Sequence, residues 1–174
     1  MPKDDAHVPH PAALDRVVLL RECSERRTRR SGPGGQHRNK VETAVVLKHE
    51  FTGIEAEGNE RRSQAENREV ALFRLRVRLA VEIRTVRPAD SVPSELWQSR
   101  CRGGRVSVNP SHPDFPSLLA EALDVLALCD FDHAAAAISL GCTGTQFVKL
   151  LKEERTAFEL LNRERAARGM PRLK

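Results

Sequence analysis

The chain contains no tyrosine, and its few phenylalanines and one tryptophan bring aromatic content to only 4%. Single-strand nucleic-acid platforms need rings on which bases stack, so that class of function is disfavoured from the outset. Cysteine is sparse as well. Cys23, Cys101, Cys129 and Cys142 form no C-x-x-C pair, which removes the spacing a zinc site requires. Cys129 and His133 stand one helical turn apart, but without a second ligand pair they read as ordinary buried side chains. Residues 1–13 are polar and broken by proline, unlike a signal peptide, so disulfides are not expected and a reduced, cytoplasmic compartment is. No apolar run approaches the ~20 residues that span a bilayer, so no membrane partner is expected.

What the chain does have is arginine. Its 174 residues, enough for one medium domain or two small ones, carry a net charge of +5. That charge is concentrated. Arg21, Arg26, Arg27, Arg29, Arg30, Arg38 and Lys40 face only Glu22 and Glu25 over residues 21–40, and a second cluster runs from Arg61 to Arg87. Arginine over lysine favours bidentate phosphate contact, so the backbone of a polyanion is the expected partner.

The fold class expected is α+β: a small antiparallel sheet with a packed C-terminal helix, then a small, mainly helical, helix-turn-helix-like domain. The boundaries are a disordered arm over 1–11, a first domain over 12–88, a linker over 89–96 and a helical domain over 97–174. Leu14, Val17, Val18 and Leu20 fit a short helix, although the apolar run also suits a strand. Residues 24–30 read as an edge strand and 41–49 as an alternating one. Thr52-Gly53-Ile54 marks a hairpin turn into a partner strand over 54–58. Asn59, or Ser63 with Glu66 three residues later, would cap a helix whose stripe is Leu72, Leu75, Leu79, Ile83 and Val86 and which Pro88 ends. Arg68, Arg74, Arg76 and Arg78 lie mainly off that stripe, as either a solvated face or phosphate contacts.

In the second half Trp97, Arg100, Arg102, Gly103, Gly104 and Arg105 are expected in a loop, with a short strand over 105–109. Asp114 would cap a helix with Pro116 in its first turn and Leu118, Leu119, Ala122, Leu123, Leu126 and Ala127 buried. Residues 132–152 then read as helix, glycine turn, helix: Ala136 and Ala137 permit close approach, and Leu140, Phe147 and Leu150 form the small core between.

The segment with most chemistry is Ser31-Gly32-Pro33-Gly34-Gly35-Gln36-His37-Arg38-Asn39-Lys40. Ordering three glycines is costly, and such a loop persists where something must approach the backbone closely. A nucleotide-cradling loop needs a lysine and a hydroxyl residue after its last glycine, and here Gln36-His37 follows. The dinucleotide fingerprint fails on spacing and lacks a preceding parallel strand. Gln36 is a neutral amide, suited to orienting and hydrogen bonding rather than proton transfer.

This segment resembles the peptidyl-tRNA hydrolase domain shared by class I peptide chain release factors and codon-independent ribosome-rescue proteins. In that family Gly-Gly-Gln is followed by His-x-Asn-Lys, then a Thr-Gly-Ile turn, then Arg-Ser-Gln-x-x-Asn-x-x-x-Ala-Leu opening a helix. Here those are Gly34 to Lys40, Thr52-Gly53-Ile54, and Arg62-Ser63-Gln64 with Asn67, Ala71 and Leu72, so the resemblance covers roughly residues 24–85. Arg38 departs from the apolar residue that relatives often carry.

The resemblance implies hydrolysis of the ester joining a nascent peptide to tRNA in the ribosomal P site, with Gly34, Gly35 and Gln36 catalytic. Arg29, Arg30, His37, Arg38, Asn39, Lys40, Arg62 and Arg68 would contact ribosomal RNA. No cofactor or metal is implied. Gln36 is a candidate for N-methylation by a methyltransferase, as in relatives, and a factor entering a ribosomal cavity is expected to be monomeric. The residues before Gly34 are too few for the additional domain of codon-reading factors, and the second half holds no Pro-x-Thr or Ser-Pro-Phe decoding tripeptide. A codon-independent, ribosome-rescue role is therefore expected; rescue relatives often end in a long basic tail that enters the mRNA channel, whereas the end here, over 163–174, is basic but short. The rival readings are a non-catalytic ribosome- or RNA-binding protein and a DNA-binding regulator using residues 133–152.

Overall fold

Ala44, Val45, Val46 and Leu47 are four consecutive apolar residues, all buried, a pattern that demands a strand covered on both faces. In the computed structural model, which describes residues 9–28, 43–88 and 91–174, they lie on β2 (Ala44–His49). This is the middle strand of an antiparallel sheet ordered β1 (Cys23–Thr28), β2, β3 (Glu55–Gly58). The expected α+β class is what the structure shows. The alternation read over 41–49 is replaced by burial on both faces, with only Lys48 part-exposed.

Among the described residues the chain divides into two units: Pro11–Leu79, and Ala80–Lys174 with residues 9–10. In the first, a 3-10 turn (Pro11–Ala13) leads to α1 (Arg16–Arg21), where Asp15 accepts a hydrogen bond from the Val17 amide at 2.8 Å. The segment is thus helix rather than strand, but it buries Leu19 and leaves Val17 and Val18 exposed. Of the arm expected over 1–11, residues 1–8 lie outside the described set, while His10 is buried.

The β2–β3 hairpin turns where expected. Gly53 has a φ of +72°, and Thr52 Oγ1 accepts from the Ile54 amide at 3.3 Å. Next comes α2 (Gln64–Glu82). Its cap is Ser63, whose hydroxyl accepts from the Glu66 amide at 3.5 Å; Asn59 lies too far upstream to serve. The helix also stops at Glu82, short of the expected Val86, which is 94% exposed. Two forces end it. Arg84 turns back to donate to the Ala80 and Val81 carbonyls at 2.5 and 2.6 Å, and Asp124 accepts from the Thr85 amide at 3.0 Å, drawing that residue out of helical register.

In the second unit residues 95–100 form α3 (Glu95–Arg100), not a loop, because Ser94 caps the Trp97 amide at 3.0 Å. The buried Trp97 ring donates from Nε1 to the Leu140 carbonyl at 2.8 Å. A minimal hairpin, β4 (Cys101–Arg102) and β5 (Arg105–Val106), turns on Gly103 and Gly104, whose φ values of +55° and +75° exclude most side chains. Asp114 stands just before α4 (Phe115–Leu128) but caps nothing: its own backbone is helical, and its carboxylate accepts from Arg100 Nε at 3.1 Å. Every residue of α4 from Phe115 to Leu126 is buried, so it is the central helix of this unit.

The helix-turn-helix reading matches the structure. α5 (His133–Ser139) and α6 (Gly144–Lys152) bend by 104° at the break between them, capped by Asp132 and Thr143. Ala136, Ala137, Leu140, Phe147 and Leu150 are buried as expected. α7 (Arg155–Ala167) closes the unit. The basic C-terminal end folds back on it: Leu173 N donates to Asn162 Oδ1 at 2.8 Å, and Arg165 Nε to the Pro171 carbonyl at 3.1 Å.

Candidate active site

The nine expected site residues Arg29, Arg30, Gly34, Gly35, Gln36, His37, Arg38, Asn39 and Lys40 lie outside the described residues. What the structure builds is their stem. Thr28 and Ala44 are register partners at the ends of β1 and β2, so the chain leaves and re-enters the sheet at one ladder position. Two antiparallel partners sit roughly 5 Å apart, and that spacing fixes the base of the candidate loop.

The re-entry point is held by Asn67, fully buried in the first turns of α2. Its Nδ2 donates to the Thr43 carbonyl at 2.6 Å and to the Arg61 carbonyl at 3.0 Å, while its Oδ1 accepts from the Arg61 amide at 2.8 Å. One side chain therefore ties the end of the candidate loop to the segment that opens the helix. Gly58 makes this possible: a β-carbon there would stand 2.0 Å from the Asn67 carbonyl oxygen and 2.9 Å from the Ala71 amide nitrogen. Contact at Gly58 also shows which face α2 covers, the one shared by the register partners Val45 and Gly58, Leu47 and Ala56.

Glu25, opposite Leu47, belongs to the same face, and there it meets Arg68 of α2, Nε to Oε2 2.8 Å. Arg68 Nε is buried without an aligned hydrogen bond, so this is an ion pair held by charge rather than direction. Arg68, expected to reach RNA, is thus tied to β1, while Arg62 is exposed just ahead of α2. The other helix arginines are neither simply solvated nor spread for phosphate. Arg74 donates to the Glu57 carbonyl at 2.7 Å and Arg78 to the Glu55 carbonyl, covering the outer edge of β3; Arg76 donates to the Ala12 carbonyl at 2.9 Å.

The other motif residues also turn out to be framework. Thr52 Oγ1 lies 2.9 Å from Nδ1 of the buried His49, whose Nε2 is 3.1 Å from Glu22 Oε2. Ala71 and Leu72 are core. Sequence reasoning placed Asn67 in the motif without giving it a task. The available signal was its spacing: Asn67, Ala71, Leu75 and Leu79 share a helical stripe, and an amide on a buried stripe must find partners. Among the described residues no cluster of His, Cys, Asp or Glu could hold a metal ion.

The model of the RF-1 domain matches residues 17–102. "Peptide chain release factor 1-like, mitochondrial" of Rattus norvegicus is 40% identical over 74 residues, covering 42% of this chain and 20% of that protein. "Peptide chain release factor 1" of Ureaplasma parvum is 42% identical over 74 residues, with 42% and 21% covered. "Peptide chain release factor 2" of Acidovorax sp. (strain JS42) is 45% identical over 73 residues, with 40% and 20% covered. The similarity spans about a fifth of the length of these relatives. Through the RF-1 domain in residues 17–102, the chain belongs to the class I peptide chain release factor family.

Proposed function

We propose that this protein hydrolyses the peptidyl-tRNA ester on the ribosome, with Gly34, Gly35 and Gln36 at the reacting atoms. Water attacks the ester carbonyl carbon, the bond from that carbon to the ribose oxygen breaks, and the ribose oxygen leaves as a hydroxyl with a proton from the water. The Gln36 backbone N–H stabilises the oxyanion formed on the way, a role of about 3 kcal/mol where one such donor is removed. Gly34 and Gly35 let the backbone approach the tRNA end, and the Gln36 amide orients the water. Arg29, Arg30, His37, Arg38, Asn39, Lys40 and Arg62 seat the loop against ribosomal RNA, and Arg68 braces β1 beside it.

The observation that carries this reading is the stem: the buried Asn67 amide ties Thr43, and Thr28 pairs with Ala44, so the sheet is fixed on both sides of the segment that contains Gly34-Gly35-Gln36. Catalysis by orientation needs such a frame and no acid–base pair. The finer reading is codon-independent release by a cytoplasmic, monomeric rescue factor. It is supported by the second unit, whose helix-turn-helix and arginine-bearing hairpin suit RNA backbone rather than a three-base codon. Methylation of Gln36 belongs to the same reading.

The test is release of labelled peptide from stalled ribosomes without a stop codon. Wild type should release, and Gln36→Ala and Gly35→Ala should fall by roughly a hundredfold or more. No release by wild type would overturn the catalytic reading, and release only at a stop codon would overturn codon independence.

A further inference from the structure

In the helical unit most arginines find carboxylates: Arg84 with Asp124, Arg87 with Glu121, Arg100 with Asp114, Arg168 with Asp130 and Glu164. Arg102 and Arg105 depart from that rule. They are exposed register partners, directly opposite each other across the Gly103–Gly104 turn, and among the described residues no carboxylate pairs with either. Like charges opposed on a hairpin destabilise it, so folding alone gives no reason for the arrangement. Between them opens a cleft of about 410 Å³, lined by Ser99, Arg100, Arg102, Arg105 and Ser107. A second cleft of about 150 Å³ shares Arg105 and Ser107 and runs on to Gln146 and Lys149 of α6, with Glu153 its one acidic member among the described residues. The hairpin is not loose: Thr143 N, at the start of α6, donates to the Gly104 carbonyl at 3.0 Å.

We infer that this hairpin and α6 form a docking surface for the phosphate backbone of an RNA duplex. Two arginines without a carboxylate partner, Arg102 and Arg105, around one cleft and a lysine along the next supply cations at successive points of a backbone, with hydroxyl and amide groups between them. Among the described residues the two clefts contain no aromatic ring, which argues against single strands. Gln146 and Lys149 are few groups for reading base edges, whereas Ser99, Ser107 and Gln146 suit the 2′-hydroxyls of a shallow A-form groove. The choice of RNA over DNA rests on the ribosomal reading above.

The experiment is fluorescence anisotropy of the full chain with an RNA hairpin of roughly 16 base pairs and with DNA duplex of the same sequence. Wild type should bind the RNA more tightly than the DNA. Arg102→Ala with Arg105→Ala should weaken RNA binding about tenfold and reduce the slope of log affinity against log salt by about 2. Lys149→Ala should weaken it about threefold, and the lysine pair Arg102→Lys with Arg105→Lys should restore most binding. Arg155→Ala, a paired arginine away from both clefts, should bind as wild type. No duplex binding by wild type, equal or tighter binding of DNA, or unchanged binding by the double alanine variant would each overturn the inference. If that variant fails to keep the native circular dichroism, Arg105→Gln with Lys149→Gln takes its place under the same criteria. Gln36→Ala separates the two proposals, because it should lose release and retain RNA binding. Failure of release by wild type with intact duplex binding would remove the catalytic reading alone.

Discussion

The two units solve one problem, burying polar groups to fix a chain segment, with opposite chemistry. In the sheet unit the fixing group is the neutral amide of Asn67, which holds Thr43 and Arg61. In the helical unit it is a pair of buried carboxylates on α4. Glu121 accepts from the Ser94 amide at 2.7 Å and faces Arg87 at 3.2 Å, and Asp124 accepts from the Thr85 amide and faces Arg84. A neutral network holds its geometry at any ordinary pH. A charged one is costly to disturb, because removing one partner leaves the other charge uncompensated. The re-entry point of the candidate catalytic loop is thus held by a neutral amide, beside the Glu25–Arg68 ion pair on β1.

Removing one charge should break the contrast most sharply. Glu121→Ala takes from the nearly buried Arg87 its carboxylate, leaving only the neutral Ser91 hydroxyl and Val92 carbonyl as acceptors, and should cost about 3 kcal/mol, read from the fluorescence of the single tryptophan, Trp97, during denaturation; Glu121→Gln should cost clearly less. Gly58→Ala should follow at about 3 kcal/mol, since its β-carbon meets backbone atoms that cannot rotate away; thermal unfolding by circular dichroism measures it. Asn67→Ala should cost about 2 kcal/mol and also lower peptide release at a temperature where the variant is still folded, because the loop stem loses its tie.

Protons give the next test. Burial holds the imidazole of His10 below its ordinary value of 6.5, partly countered by Asp124, and burial with Arg165 lowers that of His133. Both belong to the helical unit. The unfolded chain takes up these protons near pH 6.5 and the folded chain only below it, so stability should fall as pH drops through and below 6.5. Urea titrations at pH 7.5 and pH 5.5, followed at Trp97, check this; equal midpoints would refute it. The smallest effect concerns the thiols. Burial, with Glu22 and Glu50 nearby, pushes Cys23 up to about 11, and burial likewise pushes Cys142 up to about 11. Both should alkylate slowly at pH 8 until the protein is unfolded.

The strands, the hairpin at Gly53 and the helix-turn-helix were legible in the sequence because each depends on neighbours in the chain: a turn residue, a cap, a periodic stripe. Sequence reading stumbled where a distant side chain intervened. α2 stops at Glu82 because Asp124, some forty residues away, takes Thr85. Trp97 sits on a helix because Ser94, itself bonded to Glu121, caps it. Asp114 leaves its cap vacant for Arg100.

The sequence by itself determined the family, since Gly34-Gly35-Gln36, Thr52-Gly53-Ile54 and Arg62-Ser63-Gln64 stand in fixed order and need no contact to be read. It also determined the concentration of arginine, which composition makes visible. Only the tertiary structure decided what those arginines do. Arg74, Arg76 and Arg78 satisfy backbone carbonyls, Arg68 is neutralised by Glu25, and Arg102 faces Arg105 with its charge uncompensated among the described residues. A guanidinium has the same charge at every position in a sequence; whether that charge is spent inside the fold depends on which oxygens the fold brings within about 3 Å of it.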